Sequence, residues 1–491
     1  MAVSNLKRKT INGFFWSMLE SIFSQGQGII FGIFLARMLS PGEFGLIGMI
    51  TIFISVAQVF VDSGLSQALI GKQNCTNLDY STIFWANIVI GVLAYLIIWF
   101  CAPFIAGFYQ KPELIQLTKL ASVAILIGTV TLIQQTILIK EIDFKTITKI
   151  STVSTFISGV ASLLLAYYGF GVWSLVWRTL INQALRTLMM WRYNNWFPQW
   201  AFSRRVFADF FSFGSNILII SIVAVIYKSI YNFVIGKNYS DTILGYYTNA
   251  DQYSSIPSNT ITNITGKVSY PVFSEMQNDN EKLRASISKL IKSIMYVSFI
   301  VMLGLAAIAN PLFYTFLGEK WLPAVPIFQA LCIANSITPM HAINHSVFKI
   351  KGRSDLFLKT ELIKYMLFTP LLILGIFYGL TVLVVGIIVF NWLGYLINST
   401  YSKRLIQYSL VDQLRDFSPY IILSGIPAIL VYGIGFATQL NPLPLLAIQS
   451  GSYILLIVGL SLFFKISPFF EIMVILRNKL TIINMFKILK N

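Results

Sequence analysis

The sequence predicts an all-α, polytopic membrane protein with about fourteen transmembrane helices, and three observations carry that prediction. Apolar residues make up 56% of the chain and charged residues only 11%, whereas a water-soluble protein carries about a quarter charged residues. Apolar runs near twenty residues recur almost without pause, each long enough to cross a hydrocarbon core of about 30 Å at about 1.5 Å per residue. Basic residues gather in alternate gaps between the runs, which is how a bilayer protein records its orientation.

Breaks in the apolar pattern place spans at 12–38, 43–70, 80–108, 114–139, 147–168, 171–191, 210–236, 242–272, 288–314, 322–348, 357–378, 381–402, 417–438 and 444–465. The first follows Lys7, Arg8 and Lys9, is too long for a signal-peptide core and lacks a small-residue cleavage site, so it is expected to stay in the mature protein. The eighth is the least apolar. Asn249, Asp251, Gln252, Ser254, Ser258, Asn259 and Asn263 lie along it, which reads as the wall of an aqueous cavity.

With the N-terminus inside, most of the 36 Lys and Arg fall in cytoplasmic loops, and the outer loops hold only Arg37, Lys111, Lys119, Lys237 and Lys320. That asymmetry supports an even helix count with both termini cytoplasmic. The net charge of +17 therefore reports topology; it forms neither the stripe nor the basic domain that nucleic acid requires. Every outer loop is short, which leaves no external domain for catalysis. Cys75, Cys101 and Cys332 are odd in number and match no metal-ligand spacing, so they read as packing residues, and neither a metal nor a cofactor is expected.

The chain repeats itself. Ser40-Pro-Gly-Glu-Phe-Gly45 returns as Ser240-Asp-Thr-Ile-Leu-Gly245, displaced by 200 residues. Ala102-Pro-Phe104 returns as Asn310-Pro-Leu312, and Tyr167-Tyr-Gly-Phe-Gly-Val172 returns as Phe377-Tyr-Gly-Leu-Thr-Val382, displaced by 208 and 210. Three echoes in order, on one side of the membrane, predict two six-helix lobes related by a pseudo-two-fold along the membrane normal. The expected organisation is an N-terminal lobe at 1–200, a C-terminal lobe at 201–410, an added helix pair at 411–466, and a basic amphipathic cytoplasmic tail at 467–491 lying on the anionic inner leaflet.

The stretch Ser24-Gln-Gly-Gln-Gly-Ile-Ile30 running into Phe34-Leu-Ala-Arg-Met-Leu-Ser-Pro-Gly-Glu-Phe-Gly45 resembles the polysaccharide-transporter branch of the multidrug, oligosaccharidyl-lipid and polysaccharide exporter superfamily. The resemblance continues through Asp62-Ser-Gly-Leu65, Leu244-Gly-Tyr-Tyr-Thr-Asn-Ala250, Tyr270-Pro-Val-Phe-Ser274 and Gly318-Glu-Lys-Trp321. It implies a V-shaped pair of lobes that alternates between inward and outward openings. The implied cargo is an undecaprenyl-pyrophosphate-linked repeat unit for O-antigen lipopolysaccharide, capsule or exopolysaccharide, carried across a bacterial inner membrane. Membrane lipids are the expected surroundings, with a polysaccharide polymerase and glycosyltransferases as candidate partners.

Charges at helix centres cost about 2.5 to 3.5 kcal/mol each on insertion scales, so those that remain tend to face cavities, pair or act. Arg178, Lys228 and Asp251 sit roughly 12 Å below the outer surface by helical rise. Arg178 and Lys228 are the preferred pyrophosphate contacts, through charge-assisted hydrogen bonds; neutralisation inside the bundle, Lys228 by Asp251, is the alternative. Tyr246, Tyr247, Asn249, Asp251 and Gln252 on the polar face of the eighth span suit sugar hydroxyls or interhelical hydrogen bonds. Glu20 and Asp62, in the inner halves of the first two spans, are candidates for gating or coupling. Lys267, Glu361 and Lys364 lie toward the cytoplasmic ends, where long side chains snorkel. His341 and His345 share a helix face but show no third ligand or partnering carboxylate nearby in the chain, and so read as packing or cavity lining.

Two further classes compete with a flippase. An ion-coupled multidrug exporter would share the lobes but usually stops at twelve helices. A membrane enzyme on the same lipid would need a substantial loop for its catalytic groups, and the short outer loops argue against one.

Overall fold

The computed structural model describes residues 2–62, 64–72, 74–274, 276–438 and 440–474. The described elements are helical throughout, and eleven helical segments are long and apolar enough to cross a membrane. By contacts the chain divides into two compact units, 1–249 and 250–491. Outer and inner denote below the sides assigned by the basic residues.

The first unit contains α1 (Ala2–Met38), α2 (Pro41–Asp62), the short α3 (Leu65–Gly71), α4 (Asn77–Tyr109), α5 (Leu114–Ala121), α6 (Val123–Lys140), α7 (Phe144–Tyr167), α8 (Trp173–Tyr193), α9 (Arg204–Asn238) and the start of α10 (Asp241–Ser274). The second span expected from the sequence is two helices, because Gly64 adopts a left-handed φ of 66° that L side chains resist. Helix starts in the inner loops are capped by side chains: Thr76 and Asp79 form a capping box on α4, Asp143 caps α7 and Ser203 caps α9. The inner core gathers Leu65, Leu69, Ile83, Phe84, Ile133 and Ile137. The linker to α9 is pinned beneath it: Trp85 Nε1 donates to the Gln199 carbonyl at 2.8 Å and stacks on Trp200 at 4.5 Å.

The second unit continues with α11 (Asn280–Ala307), α12 (Ala309–Phe316), a 3-10 turn (Glu319–Ala324), α13 (Val325–Asn335), α14 (Thr338–Ile350), α15 (Ser354–Tyr378), α16 (Leu380–Ile406), α17 (Leu410–Ala437) and α18 (Pro442–Phe463). The tenth expected span is interrupted between α13 and α14. The freed Ser336 carbonyl there accepts from Ser298 Oγ of α11 at 2.7 Å, as an interrupted helix away from water requires. Ile287, Ile291, Met295, Met340, Ile343 and Phe417 form its inner core. The added pair α17 and α18 docks on α11, where Tyr453 OH donates to the Ile300 carbonyl at 3.0 Å and Tyr296 pairs with Ser461 at 2.8 Å.

The expected basic tail is described only to residue 474. Its first part packs Phe469 and Ile472 against the inner core and pairs Glu471 with Lys289 at 3.2 Å; residues 475–491 lie outside the described residues. Val89, Leu93, Ile97, Phe100 and Phe104 leave one face of α4 exposed, a continuous apolar strip that suits lipid and not water.

Candidate functional site: polar groups within the helical units

The repeated Ser-to-Gly turn acquires a physical meaning in the first unit. Ser40 and Glu43 cap α2 reciprocally, with Ser40 N donating to Glu43 Oε2 at 2.6 Å and Glu43 N to Ser40 Oγ at 3.4 Å. Ser240 Oγ accepts from Ile243 N at 3.2 Å at the start of α10. Five residues on, a Cβ at Gly45 would lie 1.8 Å from the Asp241 carbonyl oxygen, and a Cβ at Gly245 would lie 1.8 Å from the Pro41 carbonyl oxygen. Each glycine thus seats the other helix's first turn, the reciprocity of a local two-fold between helices that enter from the same side.

An ion pair between Lys111 Nζ and Asp241 Oδ2, at 2.6 Å, braces this crossing. Burial alone would raise the Asp241 carboxyl, but hydrogen bonds from Lys111 and Thr242 outweigh it and leave it below its ordinary 3.8. A carboxylate with a depressed value stabilises the fold above its unfolded value and loses that contribution as pH falls through the folded one. Hydrogen exchange at the outer ends of α2 and α10 is therefore expected to be flat from pH 7 to 5, after correction for the intrinsic rate, and to rise below about pH 4. Lys111→Ala should raise it at neutral pH, and a Lys111→Ala profile identical to wild type would remove the ion pair from the account.

Arg178 is half-buried on α8. Asn182, one turn further, donates to Ser158 Oγ at 3.3 Å and Thr155 Oγ1 at 3.4 Å of α7. Arg186, a further turn along the same face, is half-buried under the electrostatic influence of Glu20 on α1. Arg186 is a second interior cation, inside the sixth expected span but not among the charges singled out from the sequence; its i, i+4, i+8 spacing from Arg178 through Asn182 was the available signal. Asp62 closes α2 half-buried, and Lys228 is exposed on α9.

The polar residues of α10 separate into two sets. Tyr247 is buried and stacks on Tyr231 at 5.8 Å, and Asn249 is buried with Nδ2 donating to the Gly245 carbonyl at 3.3 Å. Tyr246 and Asp251 are half-buried, the latter accepting from Ser255 Oγ at 3.2 Å. Thr260, Thr265 and Ser269 turn back on their own helix, and Ser258 donates to the Asn335 carbonyl at 3.0 Å. Gln252, Asn259 and Asn263 are exposed. Their i, i+7, i+11 spacing puts three carboxamides in one stripe, and such groups within a bilayer belong against water.

Two sequence expectations are corrected in the second unit. Lys364 does not snorkel: its side chain is 8% exposed and its ammonium contacts Glu361. The histidine pair does have a partnering carboxylate, since Glu361 of α15 approaches His345 Nε2 at 3.4 Å. Neighbouring helices bring together what one helix's sequence cannot. No group of three metal-ligating side chains has metal-site geometry among the described residues. The side chain of Lys267 lies outside those described.

Of the cysteines, Cys332 is buried and Cys75 half-buried, the latter receiving a hydrogen bond from Lys140 Nζ at 2.7 Å. Cys101 is exposed along an apolar groove of about 510 Å³ that also includes Phe53, Phe60, Leu93 and Phe233. That groove offers no polar partner to a headgroup.

Long apolar helices arranged in two units, with polar stripes and paired charges inside them, define a multi-pass membrane protein of transporter architecture. The chain belongs to the family of polysaccharide biosynthesis proteins, which it matches over residues 34–326. It is similar to the teichuronic acid biosynthesis protein TuaB of Bacillus subtilis (strain 168), 28% identical over 354 residues that cover 72% of this chain and 73% of the relative. It is also similar to the lipopolysaccharide biosynthesis protein WzxC of Escherichia coli (strain K12), 25% identical over 373 residues and 76% of each chain. Among solved structures, the lipid II flippase MurJ in an inward closed conformation shares the fold with a TM-score of 0.74 at 16% identity, covering 92% of this chain and 99% of that one. An inward-facing multidrug resistance MATE family transporter shares it with a TM-score of 0.61 at 14% identity, covering 79% of this chain and 94% of that one.

Proposed function

We propose that this chain is a flippase that moves undecaprenyl-pyrophosphate-linked oligosaccharide repeat units from the inner to the outer leaflet of a bacterial inner membrane. The product would feed O-antigen, capsule or exopolysaccharide synthesis, alongside glycosyltransferases and a polymerase. The observation that carries a path for sugars is the exposed stripe of Gln252, Asn259 and Asn263 on α10; family membership supplies the substrate class. Fourteen crossings with both termini cytoplasmic follow from the basic residues.

In this reading the sugars exchange hydrogen bonds with the carboxamides while the polyprenyl tail stays in lipid, and no bond is made or broken. Arg178 and Lys228 hold the pyrophosphate, whose several anionic oxygens suit guanidinium and ammonium donors. The glycine crossing of α2 and α10 supplies an outer contact that closes and parts during alternating access, and Glu20 and Asp62 serve as gating groups at the inner side.

The test uses the purified protein in liposomes carrying a pyrophosphate-linked oligosaccharide, with leaflet exposure read by a membrane-impermeant glycosidase. Wild type is expected to equilibrate the leaflets. Lys228→Ala should slow flipping by about ten- to a hundredfold, the loss of one charge-assisted hydrogen bond of roughly 1.5 to 3 kcal/mol, without loss of the folded, inserted protein. If Lys228→Ala instead unfolds the protein and Lys228→Ala with Asp251→Ala restores flipping, Lys228 neutralises Asp251 and the headgroup assignment fails.

A further inference from the structure

A cluster inside the second unit takes no part in the path described above. Glu361 and Lys364 lie one turn apart on α15, with Glu361 accepting from the Lys364 ammonium. His341 and His345 of α14 and Asn398 of α16 complete it: Asn398 Nδ2 lies 3.0 Å from His341 Nδ1 and 3.2 Å from His345 Nε2. Asn398 is fully buried, and its Oδ1 has no hydrogen-bond partner. His341 also hydrogen-bonds the backbone of Asn391. Gly394 makes the room, since a Cβ there would lie 2.8 Å from Lys364 Cδ and 3.2 Å from His341 Cε1.

The charge balance is tight. The groups facing one another are one carboxylate, one ammonium and two imidazoles, with Lys349 acting on His345 from the inner end of α14. A carboxylate at this depth is costly unless a cation sits on it; here the ammonium sits on Glu361, and the same cluster holds an amide oxygen, that of Asn398, awaiting a partner. Arginine would bring a planar fork where a compact point charge is held. We propose that the Glu361 carboxylate, clustered with His341, His345 and Asn398, forms an intramembrane site for a small monovalent cation whose resident occupant is the Lys364 ammonium. The chain therefore carries its own counter-ion, and removing the ammonium opens the site to an ion of ammonium's size from solution. A consequence, which rests on the flippase reading while the site itself does not, is that transport needs no sodium gradient.

The experiment measures thermal unfolding of the full chain in detergent with ammonium, sodium or choline chloride at equal ionic strength. Wild type should melt alike in all three. Lys364→Ala should melt roughly 5 to 10 °C lower in choline and recover in ammonium, because the vacated carboxylate then has a partner. Glu361→Gln with Lys364→Ala should show neither the loss nor the recovery. Since His341 and His345 are the only two histidines in the chain, 15N-histidine spectra report the site directly, and in Lys364→Ala both signals should shift with ammonium and not with choline. Wild type selectively stabilised by sodium or ammonium overturns the proposal, as does Lys364→Ala that melts identically in ammonium and choline. If Lys364→Ala does not fold, recovery of folding in the double variant supports the proposal and its failure overturns it.

Discussion

Gly45→Val is expected to prevent the outer ends of α2 and α10 from closing, and Gly245→Val should do the same from the other side. The added Cβ would stand 1.8 Å from a backbone carbonyl oxygen in each case. Backbone cannot yield as the far end of a side chain does, so the helices must separate by more than an ångström, and contacts on both sides of the crossing go with them. Gly48, whose Cβ would lie 2.8 Å from Thr248 Cγ2, shares the same row and would lose its packing. Small residues at such spacing are what let helices approach this closely.

The readout is a disulfide between Gly42→Cys and Thr242→Cys in a background lacking the three native cysteines. A Cβ at Gly42 stands 3.6 Å from Thr242 Oγ1, so cysteines at the two positions are neighbours when the crossing is closed. The pair should cross-link readily with Gly45 and Gly245 intact, and at least about tenfold less with either valine, the effect of roughly 1.4 kcal/mol or more against closure. Gly45→Ala should fall between the two. Wild-type yield in both valine variants would show that the crossing is not a close backbone contact.

Asp416→Ala is expected to give the largest loss of stability among single changes at the inner face of the second unit. Asp416 near the start of α17 accepts from Ser288 Oγ at 2.5 Å and from the Tyr408 hydroxyl, and Lys292 Nζ lies 3.2 Å from its other oxygen. Tyr408 is 2% exposed, so alanine at 416 strands a buried hydroxyl as well as a lysine. Hydrogen bonds to a charged group are worth about 1.5 to 3 kcal/mol, and Lys292 adds little because it is partly solvated, so a total loss of roughly 2 to 4 kcal/mol is expected. Tyr408→Phe should cost less than half of that, because it leaves the carboxylate with Ser288 and Lys292. Melting temperatures in one detergent decide the order, and Tyr408→Phe equal to Asp416→Ala would place the stability in the tyrosine alone.

Much of the fold was legible along the chain. Each expected span overlaps one helix or a short run of adjoining ones, and eleven segments are long and apolar enough to cross a membrane, because apolar length and the cost of bare backbone in lipid act locally. The turn at Ser40 and its echo at Ser240 were legible for the same reason, since an N-cap is a matter of neighbouring residues. The interruptions were less so. Gly64 ends α2 through its own backbone angle, but the break between α13 and α14 is held by Ser298 from another helix.

The candidate site divided along the same line. Polar letters on the eighth span set it apart from its apolar neighbours. Only the packed structure separated Gln252, Asn259 and Asn263, which are exposed, from Tyr247 and Asn249, which are buried, and from hydroxyls such as Thr265 that turn back on their own carbonyls. Lys364 looked like a snorkelling lysine until Glu361, itself against His345 of α14, was found on its ammonium.

The sequence by itself determined that this protein lives in a membrane and that its first outer turn recurs 200 residues later. Those properties depend on composition, periodicity and capping, each settled within a few helical turns. The tertiary structure decided which partner Lys364 and Glu361 find, because one elementary charge in a low-dielectric setting is governed by whichever partner stands within about 4 Å, and helices far apart in sequence bring such partners together.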